Sequence, residues 1–324
     1  MMEKGQAGRV RQTLRVRRTE QVADGIRLFE LRAEDGGQLP AFTPGSHINV
    51  RVPNGSFRNY SICSDANERD RYVIAVKREA GGRGGSISLI DGTFAGDVID
   101  VGTPENLFEL DLSAPRYIFV AGGIGITPIL SMMRFLISTS DKAFELYYLT
   151  RSAEGTAFLD EVRAMAGPHR AVTIHHDNGN PAHAFDLWRL FEQPSKAHIY
   201  CCGPRPLMDA VRDMTGHWPM HAVHFEDFGS DLVRPRADDV AFTVKLARSS
   251  KSFEVPVGST ILEVMRRHGF DAPSSCESGT CGTCRTTLLA GNVDHRDLVL
   301  DGHEQGSNIM ICVSRGRATI EIDR

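Results

Sequence analysis

Four thiols in a fixed pattern carry the plainest chemistry in this chain. Cys276, Cys281 and Cys284 share one short loop, C-E-S-G-T-C-G-T-C, and Cys312 follows after 27 intervening residues. C-x4-C-x2-C with one distant cysteine is the spacing that holds a two-iron two-sulfur (2Fe-2S) cluster, three thiolates wrapping one side and the fourth arriving from a separate strand. Gly279 and Gly282 let the loop turn tightly and aim backbone N–H groups at the sulfurs, which favours the reduced cluster. A zinc knuckle pairs two short hooks, whereas here three ligands stand against one across an x4 gap. Four buried structural cysteines would need no such spacing. A cluster of this kind takes one electron at a time, so the other residues must account for where the electron comes from and where it goes.

The chain that must position these thiols has 324 residues, enough for two or three domains, each with its own core. With 41% hydrophobic and 24% charged residues its composition is that of a soluble globular protein, and no run of 18 apolar residues predicts a membrane span. The basic N-terminal stretch is followed by no apolar region, which argues against a secretory signal and for a cytoplasmic location. The net charge of −4, with Lys and Arg scattered, lacks the footprint of a nucleic-acid binder. Seven cysteines leave Cys63, Cys201 and Cys202 outside the cluster pattern, and a disulfide scaffold is not expected.

Short alternating strands at 26–31, 47–52 and 72–77, separated by Gly, Pro, Asn and Asp clusters, predict a small antiparallel β-barrel over residues 1–108. In Arg58-Asn59-Tyr60-Ser61, alternation puts Arg58 and Tyr60 on one face and Asn59 and Ser61 on the other. The run G-G-R-G-G-S, ending in Gly84, Gly85 and Ser86, leads into a short helix whose free N–H groups, with the Ser86 hydroxyl, make a phosphate site. Arg58 supplies a counter-charge. Alone, such a turn is more often only a turn.

Residues 109–228 change to strand–helix alternation. Strands at 117–121, 145–149, 172–176, 198–202 and 222–226, with helices at 129–137, 157–165, 184–191 and 207–214, predict an α/β domain with a parallel sheet covered on both faces. The first strand runs into Gly122-Gly123-Ile124-Gly125-Ile126-Thr127-Pro128, where Thr127 reads as an N-cap and Pro128 as the first helical residue. The glycines let a pyrophosphate approach that helix, although the pattern is not G-x-G-x-x-G. Cys202-Gly203-Pro204 ends a buried strand, and on residue chemistry alone Cys202 is a small core residue. Asp177, after the third strand, could accept from ribose hydroxyls and would repel a 2′-phosphate, favouring NADH; Arg151 argues the other way. His175 and His176 read as one packed and one exposed residue, not as ligands.

Residues 229–239 are polar and aperiodic and read as a linker. Beyond them two strands, a capped helix and the cluster loop predict an α+β ferredoxin-like (β-grasp) domain over 240–324.

The order of these units, with R-N-Y-S, G-R-G-G-S, G-G-I-G-I-T-P, C-C-G-P and C-E-S-G-T-C-G-T-C all present, resembles the phthalate dioxygenase reductase family over essentially the whole chain. The resemblance implies FMN in the barrel, with Tyr60 flanking the isoalloxazine, Ser61 near its N5, Val76 and Lys77 lining the ring, and Arg58, Gly85 and Ser86 holding the phosphate. It implies that Cys202, beside Gly203 and Pro204, sits against the nicotinamide where hydride leaves, and that Phe228 covers the flavin until nicotinamide displaces it. Ser61 and Cys202 are thus the candidates nearest the reacting atoms. Electrons would pass from NADH through FMN and the 2Fe-2S cluster to a Rieske non-haem iron oxygenase acting on an aromatic acid, the chain itself being a monomer. Physical demand points the same way: hydride carries two electrons, the cluster accepts one, and a flavin converts between them. A reductase of free flavins, ferric chelates or quinones, and a redox-sensing interaction module, are the alternatives. The exposed rim of the cluster loop is expected at Glu277 and Ser278.

Overall fold

The computed structural model describes residues 11–228, 232 and 234–324; the first ten residues and linker positions 229–231 and 233 lie outside the described residues. The first unit is built from β1 (Arg11–Ala23), β2 (Ile26–Ala33), β3 (His47–Arg51), β4 (Phe57–Ser61), β5 (Tyr72–Lys77) and β6 (Val98–Gly102), hydrogen-bonded in the order β4-β3-β6-β1-β2-β5. The sheet closes on itself where Ile62 bridges Ile74 and Cys63 N donates to the Val73 carbonyl at 2.8 Å. Closure leaves no open edge and encloses Leu14, Val16, Phe29, Leu31, Ile48, Val50, Ile74 and Val101. Each such side chain contributes about 2 kcal/mol by burial. Helix α1 (Gly85–Gly92) follows β5 and buries Leu89 and Ile90.

The second unit is a five-stranded parallel sheet of β7 (Arg116–Gly122), β8 (Ala143–Thr150), β9 (Arg170–His176), β10 (His198–Cys202) and β11 (Val223–Glu226), in the order β11-β10-β7-β8-β9. Every residue of β10 and all but the first of β7 are buried, as expected for central parallel strands. Helices α2 (Ile126–Thr139), α3 (Leu159–Ala164), α4 (Trp188–Phe191) and α5 (Arg205–Met214) connect them. The strand order reverses between β7 and β10, and ligands of open α/β sheets bind at the carboxyl ends of such a switch point.

Two local expectations are corrected here. A 3-10 turn, Gly123–Gly125, precedes α2, so Gly125 is its N-cap and Thr127 is the second helical residue, its hydroxyl donating to the Ile124 carbonyl at 3.0 Å. The helix expected over 184–191 is only Trp188–Phe191, because Phe185 packs its ring against Tyr147 and His175 instead. That contact half-buries His175, while His176 Nδ1 pairs with Thr150 Oγ1 at 2.8 Å.

The third unit places α6 (Ile261–Arg267) against a mixed sheet of β12 (Phe242–Leu246), β13 (Lys251–Val255), β14 (Arg285–Ala290), β16 (Asn308–Met310) and β18 (Thr319–Ile322), ordered β13-β12-β18-β14-β16. A small ribbon pairs β15 (Val293–Asp294) with β17 (Arg315–Gly316). Helix α6 starts with a reciprocal capping box between Thr260 and Glu263 and buries Ile261, Leu262, Val264 and Met265. Described positions of the expected linker are tied at both ends: Arg234 pairs with Glu79, and Asp239 with Arg296. No described helix is long and apolar enough to cross a membrane.

Candidate functional site

The three units meet at a cleft of about 720 Å³, lined by Asn59 and Ser61 from β4, by Arg205, Glu226 and Phe228 from the α/β unit, and by Cys276, Ser278 and Cys281 from the cluster loop. The switch point lies next to the α5 and β11 residues of that lining. A Cβ on Gly125 would lie 2.2 Å from the Cys202 carbonyl oxygen, and one on Gly122 would lie 2.5 Å from Pro204 Cδ. The Gly122–Gly125 turn and the Cys202-Gly203-Pro204 turn therefore mesh backbone against backbone, which only glycine permits. Gly123 is different: its φ is +53° and a Cβ added there would meet no atom within 4 Å, so it is the glycine of this turn that faces open space.

Cys202 is fully buried at the end of β10 and belongs to the core beneath the cleft. Burial pushes its thiol well above the ordinary range, and Glu226 adds to that, so it stays un-ionised. Glu226 was not singled out by the sequence. It is the register partner of Cys202 across β10 and β11, and burial pushes its carboxyl up to about 8. The only sequence signal for it was its place at the carboxyl edge of the last parallel strand.

The barrel side supplies the rest. Ser61 is buried, and on the cleft Ser61 Oγ and Glu226 Oε2 are buried polar atoms without a hydrogen-bond partner among the described residues, as is Tyr60 Oη, whose residue packs against the barrel core and does not line the cleft. Groups left in that state are costly, and a planar heterocycle with several acceptors and donors fits the vacancy in their bonding. Arg58 rests on Gly85, whose Cβ would come within 2.6 Å of Arg58 Nε, and Gly84 caps α1 in the left-handed region with φ 77°. The guanidinium of Arg58 and the first N–H groups of α1 thus share one corner, a fit for a phosphate. Ser86 Oγ accepts from Glu79 N at 3.1 Å. Val76 faces the barrel core and Lys77 faces solvent, and neither lines the cleft. Asp177 follows β9 at the far edge of the sheet, where its Oδ1 accepts from Gly179 N at 2.7 Å. Asn178 N donates to the Arg151 carbonyl at 2.9 Å, so the acidic and basic candidates for the adenosine end lie side by side. Phe228 is 41% exposed on the cleft wall.

At the cluster loop the thiols fall into two neighbouring pairs, Cys276 with Cys281 and Cys284 with Cys312. No three of the acidic, His or Cys side chains among the described residues converge as they would on a single ion. Two pairs of thiols suit the two irons of such a cluster. Backbone N–H groups already point at sulfur, Ser278 N to Cys276 Sγ at 3.4 Å and Cys276 N to Cys281 Sγ at 3.5 Å. The expected exposed rim is corrected: Ser278 is buried against the Asp227 carbonyl, and Glu277 is half-buried in an ion pair with Arg266 at 2.8 Å. The solvent-facing residues are Thr283 in the loop and Leu298 beside it.

Comparison with known proteins matches this architecture. Family models match as an oxidoreductase FAD-binding domain over 13–110, an oxidoreductase NAD-binding domain over 119–213 and a 2Fe-2S iron-sulfur cluster binding domain over 244–316. The phthalate 4,5-dioxygenase oxygenase reductase subunit of Pseudomonas putida is 58% identical over 94% of each chain, and phthalate dioxygenase reductase of Burkholderia cepacia 53% over 94% of each. The chain belongs to the phthalate dioxygenase reductase family. A solved phthalate dioxygenase reductase, described as a modular structure for electron transfer from pyridine nucleotides to [2Fe-2S], superposes with a TM-score of 0.88 at 50% identity, covering 97% of this chain and 98% of that one. As a member of this family the protein is an oxidoreductase with flavin, NAD and 2Fe-2S domains.

Proposed function

We propose that this reductase takes electrons from NADH and passes them through FMN and its 2Fe-2S cluster to a Rieske non-haem iron oxygenase that acts on a phthalate-like aromatic acid. The observation that carries the reading is the single cleft on which the β4 strand, the carboxyl edge of the parallel sheet and the cluster loop all open. A flavin bound there accepts a two-electron hydride and releases electrons singly, which is the chemistry the neighbouring domains need.

The chain's own residues bind, orient and exclude water. Arg58 and the N–H groups of Gly85 and Ser86 hold the phosphate; Glu263 of α6 already takes one side of Arg58 at 2.7 Å and of Arg83 at 3.0 Å. The remaining donors of that pair suit one terminal phosphate, which supports FMN over FAD. Tyr60, Ser61 and Glu226 supply hydrogen bonds to the ring edge, with Glu226 keeping its proton at neutral pH. Phe228 covers the ring until nicotinamide arrives. The turns at Gly122–Pro128 and Cys202–Pro204 seat the dinucleotide, and Cys202 gives the nicotinamide site an un-ionised, apolar floor. Asp177 at the adenosine end favours NADH.

Identification of the released flavin by mass, and comparison of NADH with NADPH as reductant, test the cofactors. The decisive experiment is coupled oxygen consumption with purified Rieske oxygenases and aromatic acids. NADH oxidation that no oxygenase accelerates would overturn the partner, and failure of NADH to bleach flavin and cluster would overturn the whole route.

A further inference from the structure

Three consecutive residues of β4 reach across to the ferredoxin unit. The Phe57 ring lies between the guanidinium groups of Arg11 and Arg266, at 4.6 and 5.7 Å from its centre. Arg58 pairs with Glu263. Asn59 Nδ2 donates to the backbone carbonyls of Ser275, at 2.7 Å, and of Cys276, at 3.1 Å. A side chain of the strand that lines the flavin side of the cleft is thus bonded directly to the main chain of the first cluster cysteine.

The direction of this contact is compelled by its neighbours. Arg11 can only donate, and its Nη1 bonds Asn49 Oδ1 at 3.2 Å while Asp100 holds its Nε at 2.7 Å. Asn49, buried in the barrel, must therefore turn Nδ2 toward Asn59, whose Oδ1 accepts at 2.8 Å. Asn59 is left with Nδ2 facing the loop, where two carbonyls can only accept. A donor-only group at one end and acceptor-only groups at the other fix both amides, so an amide that would otherwise turn freely is locked. Ser275 Oγ adds one further tie, to Glu105 Oε2 of the barrel at 2.7 Å.

We propose that Asn59 is the positioning residue for electron transfer into the cluster, clamping the Ser275–Cys276 backbone against β4, with Asn49 and Arg11 setting its orientation. The inference rests on the flavin-to-cluster route proposed above. Asn59 needs no contact with a reacting atom; it fixes how near the cluster loop stands to β4 and how often it leaves.

Asn59→Asp is nearly isosteric but sets a carboxylate against two carbonyl oxygens and removes the donor. Asn49→Asp leaves Asn59 in place, keeps a partner for Arg11 and removes the donor that orients Asn59. Two measurements on the holoprotein test the clamp. Hydrogen exchange of the amides over 274–284 should rise about tenfold in Asn59→Asp, the effect of losing hydrogen bonds of ordinary net strength. In anaerobic stopped flow, cluster bleaching should slow relative to flavin bleaching by NADH, again by about tenfold for a comparable loss of docked population. Asn49→Asp should show both effects to a smaller degree, and it carries the test if Asn59→Asp does not fold. Unchanged exchange over 274–284 together with an unchanged ratio of the two bleaching rates would overturn the proposal. Wild-type protein whose cluster NADH never bleaches would instead overturn the route itself, while the exchange measurement would still decide the clamp.

Discussion

Cys202 and Glu226 are register partners in the parallel pairing of β10 and β11, so an un-ionised thiol in the core stands level with a carboxyl on the cleft wall that is pushed up to about 8. The pair gives this edge of the parallel sheet a low-charge environment at neutral pH, built from two groups that would each be charged more readily in water.

The raised carboxyl of Glu226 makes a signed prediction. An unfolded glutamate ionises near 4.5, whereas the folded one holds its proton to about pH 8. Its contribution to stability is therefore intact below the lower value and is lost progressively as pH rises toward the upper one. Glu226→Gln should gain stability over the parent across that interval, measured by urea unfolding at pH 5 and pH 8.5, with the larger gain at pH 8.5. Flavin reduction by NADH should lose any pH transition near 8 in the same variant.

Gly125 and Gly123 should separate packing from binding. A methyl on Gly125 meets the Cys202 carbonyl, so Gly125→Ala should cost about 2 kcal/mol or more of stability through overpacking. Gly123→Ala meets no atom and pays only for its left-handed backbone, about 1 kcal/mol. Chemical unfolding curves for the two variants decide it; equal losses would mean the two turns do not mesh.

Arg266 is buried, and it joins Glu277 of the cluster loop, the Ser274 hydroxyl and the Phe57 ring. Arg266→Met should destabilise the ferredoxin unit by about 3 kcal/mol, because the ion pair and hydrogen bond it makes inside the unit would be broken on one side only. Loss of the visible circular dichroism of the cluster at lower temperature or urea concentration is the readout.

Cys312→Ser removes a ligand from the buried pair with Cys284. The holoprotein should lose the low-temperature EPR signal of a reduced cluster and its one-electron transfer to cytochrome c, while NADH still bleaches the flavin. Parallel loss of both would show that the barrel depends on the ferredoxin unit for folding.

The cluster thiols were legible in the sequence because ligand chemistry dictates their spacing, and the three units because strand period and glycine turns are local signals. What escaped was non-local. Glu226 owes its raised carboxyl to burial beneath elements distant in sequence, so the tetrapeptide F-E-D-F could not disclose it. Thr127 reads as a cap because the sequence pattern does not show that a 3-10 turn intervenes. Glu277 and Ser278 read as an exposed rim because polar loop residues usually face water; Arg266 and Asp227, brought by two other elements, cover them. Val76 and Lys77, taken from family resemblance, line no part of the cleft, and their contact with a ring remains a proposal.

Strand β4 has a consequence for how such proteins can be recombined. Three family models divide the chain cleanly, yet Phe57, Arg58 and Asn59 are matched to Arg266, Glu263 and the Ser275–Cys276 backbone. A ferredoxin domain grafted from a distant relative would keep its fold and its cluster and still arrive at a strand written for another partner. Chimeras joined at the linker should transfer electrons well only when β4 travels with the ferredoxin domain, because the working seam runs through the barrel and not along the domain boundary.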